Sequence, residues 1–250
     1  MRPVTDPTRP EEASEQATEA DEIATRLREV RARIDDAAQK AGRTPGSVRL
    51  VAVSKGKPAS AIRAAYAAGQ REFGENYAQE LEEKASQLAD LEGLVWHAIG
   101  QLQRNKARTI TRVAAYVHAV DRVEIAEELG RRAAGKGKRI KALVEVNVSG
   151  ETSKGGCAPS DAGTVLAAIR KAPGLEAVGL MTIPPDSDDP EVARRVFAEL
   201  RALRDEHGGV AKLSHLSMGM THDFPIAVAE GATLVRVGTA IFGARTRPVA

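Results

Sequence analysis

The feature that most constrains the fold of this chain is an alternation between short apolar runs and longer segments with helical character. Eight short runs, most of them apolar, are separated by stretches that carry helical periodicity or helix-capping residues. The runs are Val48–Val53, Arg71–Phe73, Leu94–His97, Ala115–His118, Ile140–Val148, Leu175–Met181, Lys212–His215 and Thr233–Val237. Strands that alternate with helices form parallel sheets, and this number of units favours a single closed (β/α)8 barrel of the TIM type over an open doubly wound sheet. Neither a G-x-G-x-x-G fingerprint after the first run nor a P-loop sequence occurs.

The two ends of the chain differ from this repeating part. Residues 1–20 hold Pro, Thr, Glu, Ala and Ser with almost no apolar periodicity, which predicts a disordered polar tail. Apolar residues then recur at helical spacing and predict an amphipathic first helix. They are Ile23, Leu27, Val30 and Ile34. We therefore expect one domain over residues 21–245, with a short C-terminal tail at 246–250, since α/β barrels commonly use about 250 residues as one unit.

The bulk properties of the chain restrict its partners and its location. The formal net charge of +2 is too small to predict nucleic acid or a membrane surface as the main partner. No run of about 18 apolar residues occurs, and no apolar signal region follows the first residues. The 5 histidines lack companion ligands at metal-site spacing. We expect a cytoplasmic protein without nucleic-acid, membrane or metal partners, in which the single cysteine, Cys157, is either exposed and oxidisable or incidental.

Two lysines follow the first predicted strand, at the end of the barrel where reactive groups of this fold lie. Lys55 is partly desolvated there, and Lys57 adds a second positive charge two positions away. Both effects lower the pKa of an amine, and a neutral amine attacks an aldehyde to form a Schiff base. Spacing alone leaves open that both lysines are solvated loop charges.

The loops after the seventh and eighth predicted strands have the composition of a phosphate site, which this fold commonly builds there. Ser217 and Thr239 offer hydroxyl groups, and Gly219 and Gly238 let backbone N–H groups approach an anion closely. On composition alone, ordinary glycine-containing turns explain the loops equally well.

Six ordered sequence blocks carry a resemblance to a known family. The blocks are Ala52–Pro58 (AVSKGKP), Phe73–Glu80 (FGENYAQE), Trp96–Lys106 (WHAIGQLQRNK), Gly179–Ile183 (GLMTI), Leu216–Met220 (LSMGM) and Val235–Gly243 (VRVGTAIFG). Over about Ala20–Arg245 the sequence resembles the YggS/PROSC-type family of pyridoxal 5′-phosphate (PLP) homeostasis proteins. That resemblance implies a PLP-binding barrel of fold type III, similar to the barrel of alanine racemase but lacking its C-terminal β-domain.

The resemblance also implies roles for particular residues. Lys55 matches the lysine that forms an aldimine with PLP, and Lys57 is the nearby alternative. Arg236 would face the pyridine nitrogen of the cofactor. Asn76 either faces the cofactor or only caps a helix, and Met181 would pack under the ring. The remaining cofactor residues would hold the phosphate: they are Ser217, Gly219, Gly238 and Thr239.

The implied function is intracellular storage and delivery of PLP, with PLP-dependent apo-enzymes as recipients and a monomeric state. No catalytic residue is assigned, because an arginine donates but does not accept a proton, so Arg236 keeps the ring a poor electron sink. The alternative is an amino-acid racemase, which needs a second acid–base group; of the 3 tyrosines only Tyr77 follows a predicted strand. The segment Thr221–Pro225 departs from the family pattern and leaves the geometry of its helix start open.

Overall fold

Eight parallel strands close into a barrel in the order in which they occur in the sequence. The computed structural model of the protein describes residues 9–244. The strands are β1 (Arg49–Val53), β2 (Glu72–Glu75), β3 (Val95–Ala98), β4 (Tyr116–Val120), β5 (Ile140–Glu145), β6 (Leu175–Met181), β7 (His215–Ser217) and β8 (Leu234–Val237). The first strand pairs with the last, from Arg49 opposite Leu234 to Ala52 opposite Val237. The predicted (β/α)8 barrel is therefore confirmed.

Helices cover the outside of the barrel and connect successive strands. They are α1 (Arg9–Lys40), α2 (Ala59–Ala67), α3 (Ala78–Gln87), α4 (Ala107–Val113), α5 (Val123–Ala134), α6 (Ala162–Lys171), α7 (Pro190–Glu206), α8 (Gly209–Lys212), α9 (Phe224–Ala229) and α10 (Thr239–Phe242). Short 3-10 turns at Arg104–Lys106 and Pro159–Asp161 precede α4 and α6. The seventh strand begins at His215 rather than at Lys212, because Lys212 ends the helical turn α8.

The first helix is longer than the sequence pattern indicates. It begins at Arg9, so the expectation of a disordered tail through residue 20 is wrong for residues 9–20. The pattern misses this part because Glu, Ala and Gln have high helix propensity without the apolar spacing that marks a packed helix. The remaining parts of the predicted tails, residues 1–8 and 246–250, lie outside the described residues, and the domain boundaries stay a prediction.

Apolar packing lies mainly between the sheet and the helices. The four predicted apolar residues of α1 are all buried, and α1 packs against α2, α9 and α10. Leu50 and Ala52 of β1 are buried in the same layer. Burial of this kind stabilises the fold by roughly 25 cal/mol per Å² of apolar surface. Among residues 9–244, no helix is long and apolar enough to cross a membrane.

The inside of the barrel, in contrast, carries polar side chains from most of the strands. They are Arg49, Glu72, His97, Tyr116, His118, Lys141, His215, Ser217 and Arg236. Such groups are stable in a barrel only when they satisfy one another by hydrogen bonds, since an unpaired buried polar group costs about 1–3 kcal/mol. The polar interior ends at the carboxyl side of the strands, where the sequence places the candidate site.

Candidate functional site

Lys55 lies in the turn that follows β1, at the carboxyl end of the barrel. Arg49 of β1 donates to Glu72 of β2 at 2.8 Å and to Tyr116 of β4 at 3.0 Å inside the barrel. Every second side chain of β1, counted from Arg49, therefore faces the barrel interior. Successive strand residues point to opposite faces, and the position of Lys55 continues the interior set of Arg49. The residue therefore lies at the carboxyl end of the barrel, and its side chain is partly buried.

The turn after β1 adjoins the turn after β8. A Cβ atom built on Gly238 would lie 3.0 Å from the carbonyl oxygen of Val53, so only glycine lets the two backbones approach this closely. Thr239 follows directly and begins α10. The two candidate segments that were predicted separately, around Lys55 and around Gly238, thus meet at one edge of the barrel mouth.

Buried polar groups anchor the turn after β1 from below. Lys84 of α3 donates to the Ser54 carbonyl oxygen at 2.7 Å and to Glu75 Oε1 at 2.8 Å. The Ser54 hydroxyl donates to the same Glu75 oxygen at 2.7 Å, and Gly56 N donates to Glu80 Oε2 at 2.9 Å. Sequence reasoning missed this anchor, because a serine, two glutamates and a lysine on neighbouring elements carry no motif.

The second lysine of the turn has a different role. Lys57 Nζ donates to the carbonyl oxygen of Ala244 at 2.7 Å. This bond holds the chain that follows α10 against the turn after β1.

The loop after β7 is built around a glycine that no other residue can replace without strain. Gly219 has φ +92°, and a Cβ atom there would lie 2.5 Å from the Cβ of Ala227. The Asp223 carboxylate accepts from Met220 N, and Pro225 lies in the first turn of α9, where a proline is tolerated. The departure from the family pattern at Thr221–Pro225 is therefore accommodated by this helix start.

Two hydroxyl groups meet above the glycine loops. Thr239 Oγ1 donates to Thr221 Oγ1 at 3.0 Å, and at the barrel mouth Thr221 is partly exposed and Thr239 is exposed. Thr239 was predicted as a site residue, whereas Thr221 was missed because it lies in the segment that departs from the family pattern. The pair offers two hydroxyl donors to one anion.

Arg236 occupies the buried end of the same site. Its Nη1 donates to Ser217 Oγ at 2.7 Å and its Nη2 donates to the Thr182 carbonyl oxygen at 3.0 Å. Burial lowers the pKa of Arg236 to about 10, with opposing effects from Asp223 and Glu145, so the guanidinium remains charged at neutral pH. The Ser217 hydroxyl is therefore bonded to Arg236 inside the barrel and does not lie in the exposed loop.

Asn76 and Met181 end two further strands of the barrel. Tyr77, not Asn76, is the N-cap residue of α3, and its side chain makes no capping hydrogen bond. Asn76 Oδ1 is buried and has no hydrogen-bond partner within residues 9–244. Met181 is fully buried at the end of β6. An amide oxygen that is buried without a partner favours the ligand-facing alternative for Asn76 over the capping one.

One ionisable group of the site was not predicted. Glu145 ends β5, is 7% exposed and has no partner for Oε2 in the described part of the chain. Burial and the charge of Asp121 raise its pKa to about 7, against the opposing charge of Arg236. Gly155, in the loop that follows β5, packs against the carboxylate. Glu145 could be recognised in the sequence because alternate side chains of β5 face the barrel interior and Glu145 occupies one of those positions.

The fold and the site together define a class of protein: (β/α)8 barrels with a lysine after β1 and glycine loops after β7 and β8. Residues 25–246 match the family model described as alanine racemase, N-terminal domain. The structure of alanine racemase from Corynebacterium glutamicum superposes with a TM-score of 0.65 at 19% identity, covering 92% of this chain and 63% of that one. At this identity the likeness shows the fold alone.

Relatives of higher sequence identity show which family of this class the chain belongs to. A protein of Pseudomonas aeruginosa named pyridoxal phosphate homeostasis protein is 48% identical over 224 residues, which is 89% of this chain and 96% of the relative. The protein of the same name from Escherichia coli K12 is 41% identical over 230 residues, or 90% of this chain and 97% of the relative. The chain belongs to the pyridoxal phosphate homeostasis protein family, as its six sequence blocks predict.

The chain is also similar to a solved structure that has PLP bound. PipY of Synechococcus elongatus PCC7942, whose structure has PLP bound, superposes with a TM-score of 0.78 at 40% identity. The match covers 88% of this chain and 100% of PipY. The barrel mouth of the present chain carries a lysine, two threonines, two glycines and an amide oxygen that has no partner within residues 9–244.

Proposed function

We propose that this protein binds PLP at the barrel mouth and serves its storage and delivery, without a robust reaction of its own. The observation that carries the proposal is the meeting of the Lys55 turn with Gly238 and Thr239, at the mouth of a barrel whose relative PipY holds PLP. A PLP-binding site needs an amine and an anion site at one edge of the barrel, and this edge offers both.

The covalent link in this proposal is an aldimine to Lys55. The neutral amine attacks the aldehyde carbon, a C=N bond forms, and the carbonyl oxygen leaves as water. The support comes from position: Lys55 lies in the turn after β1, beside Gly238, and it matches the lysine of the family's AVSKGKP block. The turn itself is held rigid by Lys84 and Glu75, which lowers the ordering cost of binding.

The other predicted cofactor residues divide into two groups. Backbone N–H groups at Gly219 and Gly238, together with the Thr239 hydroxyl, would bind the phosphate, and the Thr221 hydroxyl joins them through its 3.0 Å contact with Thr239. Arg236 would donate to the pyridine nitrogen.

At the buried part of the site, Ser217 acts through Arg236 rather than on the phosphate. Asn76 and Met181 would contact the cofactor from the ends of β2 and β6, which lie on opposite sides of the barrel.

Weak catalysis follows from the charge next to the ring. The Arg236 guanidinium is a donor only and stays charged at neutral pH, so it favours an unprotonated pyridine nitrogen and a poor electron sink. The three tyrosines offer no buried acid–base group at the mouth, because Tyr66 bonds to the Glu92 carbonyl, Tyr77 is 60% exposed and Tyr116 bonds to Arg49 and Lys141 near the opposite end. Recipient apo-enzymes, a monomeric state and a cytoplasmic location are further parts of the proposal.

Reductive trapping tests the assignment. Wild type, Lys55→Ala and Lys57→Ala are incubated with PLP, reduced with borohydride, digested and mapped. We expect the reduced adduct on Lys55 in wild type and in Lys57→Ala, and its loss in Lys55→Ala. An adduct that persists unchanged in Lys55→Ala would falsify the assignment.

A second measurement separates a carrier from an enzyme. The PLP-loaded protein is incubated with D- and L-alanine, and the optical purity of each is followed over time. We expect no racemisation above that of free PLP. Stereoinversion that depends on Lys55 would show that the racemase alternative is correct.

A further inference from the structure

A continuous line of buried polar side chains runs through the barrel interior from Arg236 to Glu72. Arg236 Nη1 donates to Ser217 Oγ at 2.7 Å, and Ser217 Oγ lies 2.8 Å from His118 Nδ1. His118 Nε2 lies 2.9 Å from His97 Nδ1, and His97 Nε2 lies 3.2 Å from Glu72 Oε2. The serine and both histidines are fully buried. The line therefore connects the candidate cofactor site with the opposite end of the barrel.

The two ends of this line fix the direction of its protons. Arg236 only donates, so the Ser217 oxygen accepts from it and the Ser217 proton is left for His118 Nδ1. His118 then carries its proton on Nε2 and donates to His97 Nδ1. His97 in turn carries its proton on Nε2, facing Glu72. Burial raises the pKa of Glu72, but the approach of His97 and Arg49 outweighs it, so the carboxylate is ionised. Its charge favours a proton on the His97 nitrogen that faces it, although Nε2 and Oε2 lack hydrogen-bond geometry.

Both imidazole rings remain neutral in this arrangement. Burial lowers the pKa of His97 and lowers that of His118 further, with added repulsion from the surrounding positive groups. The charged and titratable groups that face the two rings are Arg49, Glu72, Tyr116, His215 and Arg236. A neutral ring has one donor and one acceptor, so a proton on His97 Nε2 leaves His97 Nδ1 to accept from His118 and His118 Nδ1 to accept from Ser217.

An apolar barrel interior would be at least as stable as this polar one. Buried polar networks cost desolvation free energy, and replacing them by packed apolar groups is often neutral or stabilising. The network holds Ser217 in a single orientation, and Ser217 in turn orients the Arg236 guanidinium. The Nη2 atom of Arg236 is held by the Thr182 carbonyl oxygen. The nearly parallel stack of His97 on Tyr116, with centroids 4.5 Å apart, holds the far end of the line in place.

We propose that His118 is a positioning residue for the cofactor site: through Ser217 it holds Arg236 in the orientation that contacts PLP. This inference rests on the proposed function, because it assigns a role toward the bound cofactor. His118 does not touch the reacting groups, and His97 supports it from the side of Glu72. The expected consequence of breaking the line is a looser site around the ring with an intact phosphate loop.

The test compares three variants with wild type. His118→Phe keeps a ring of similar size but removes both hydrogen bonds. His118→Asn keeps a polar atom on the side that faces Ser217. His215→Phe is the matched control, since His215 is also a histidine of the barrel interior but contacts Thr233 and not Ser217. The PLP dissociation constant and the absorption spectrum of the bound cofactor are measured, with thermal unfolding as a structural check.

We expect His118→Phe to bind PLP about tenfold more weakly, because Ser217 no longer holds the Arg236 guanidinium in one orientation, and to shift the absorption band. His118→Asn is expected to restore most of the affinity, and His215→Phe to resemble wild type. A folded His118→Phe protein with unchanged affinity and spectrum overturns the proposal. If His118→Phe does not fold, Ser217→Ala breaks the same link, and an unchanged spectrum there overturns it instead. Failure of the wild type itself to bind PLP contradicts the proposed function, not the positioning role.

Discussion

Thr221 and Thr239 place their hydroxyl oxygens 3.0 Å apart although they belong to different loops of the barrel mouth. Gly219 and Gly238 lie next to this pair in the sequence and allow close approach of the backbone. Two hydroxyl groups at this distance can bind two oxygens of one phosphate, or share one oxygen. The pair therefore joins the loops after β7 and β8 into one anion site.

Removing either hydroxyl should weaken PLP binding through its phosphate. Thr221→Val and Thr239→Val keep the side-chain volume, and each is expected to lower PLP affinity about tenfold, since hydrogen bonds to charged groups are worth about 1.5–3 kcal/mol. The effects of the double variant should be less than additive because the hydroxyls contact each other. The measurement is a PLP titration of the single and double variants.

Pyridoxal, which lacks the phosphate, is the control ligand for this prediction. Its affinity should change by no more than about twofold in either variant, because the lost interaction is absent from it. An equal loss for PLP and pyridoxal would mean that the threonines shape the ring pocket and that the phosphate is bound elsewhere.

The buried anchor below the Lys55 turn should be essential for stability. Lys84→Met removes the cation that pairs with Glu75 and leaves a buried carboxylate, for which a loss of about 3 kcal/mol is typical. Burial raises the pKa of Glu75, and the hydrogen bonds from Lys84 and Ser54 oppose that rise. The free energy of unfolding from urea titrations measures the loss, and the same variant should form the Lys55 adduct more slowly.

The exposed pair of Lys40 and Asp36, 2.7 Å apart on α1, provides the control. Lys40→Met is expected to change stability by no more than about 0.5 kcal/mol, as for other exposed pairs of this spacing. The double variant Glu75→Gln/Lys84→Met should be more stable than Lys84→Met alone, because no unpaired charge remains buried. If Lys84→Met is as stable as Lys40→Met, the anchor has no role in holding the turn.

The barrel and the location of its site could be predicted from the sequence, whereas the contacts inside it could not. Apolar runs and intervening helices determine the strand order, and the carboxyl ends of strands then place Lys55, Gly219 and Gly238 at one mouth. The contact between His118 and Ser217 joins residues separated by 99 positions, and depends on strand register and rotamers that no local pattern encodes. For the same reason the sequence assigned Ser217 to the phosphate although its hydroxyl bonds to Arg236.

Glu145 should make the stability of the protein depend on pH. Its pKa is about 7 in the folded protein against an ordinary value of 4.5, so the folded state binds the additional proton between these values. Stability therefore falls as the pH rises from about 4.5 to about 7, and this loss amounts to no more than about 3 kcal/mol. Glu145→Gln lacks the titrating group and should gain stability over wild type across that range.

Urea titrations of both proteins at a series of pH values provide the measurement. Below about pH 4.5 the two curves of unfolding free energy should run parallel, and their separation should grow until about pH 7 and then stay constant. A difference that is the same at every pH would mean that Glu145 is ionised at its ordinary pKa in the folded protein.

Cys157 should be unreactive in the folded protein. The residue is 9% exposed, and its backbone is bonded to Glu145 and Asn147 at the end of β5. Burial, together with nearby carboxylates, raises the pKa of its thiol to about 12, so hardly any thiolate is present at neutral pH. Since the thiolate is the reactive form, we expect a thiol reagent such as 5,5′-dithiobis(2-nitrobenzoate) to react at least about a hundredfold faster in urea than with the native protein.

The chain contains 1 cysteine, so the signal has one source, and Cys157→Ser serves as the blank. Equal rates in the native and unfolded states would show that Cys157 is exposed and oxidisable, the alternative that the sequence leaves open.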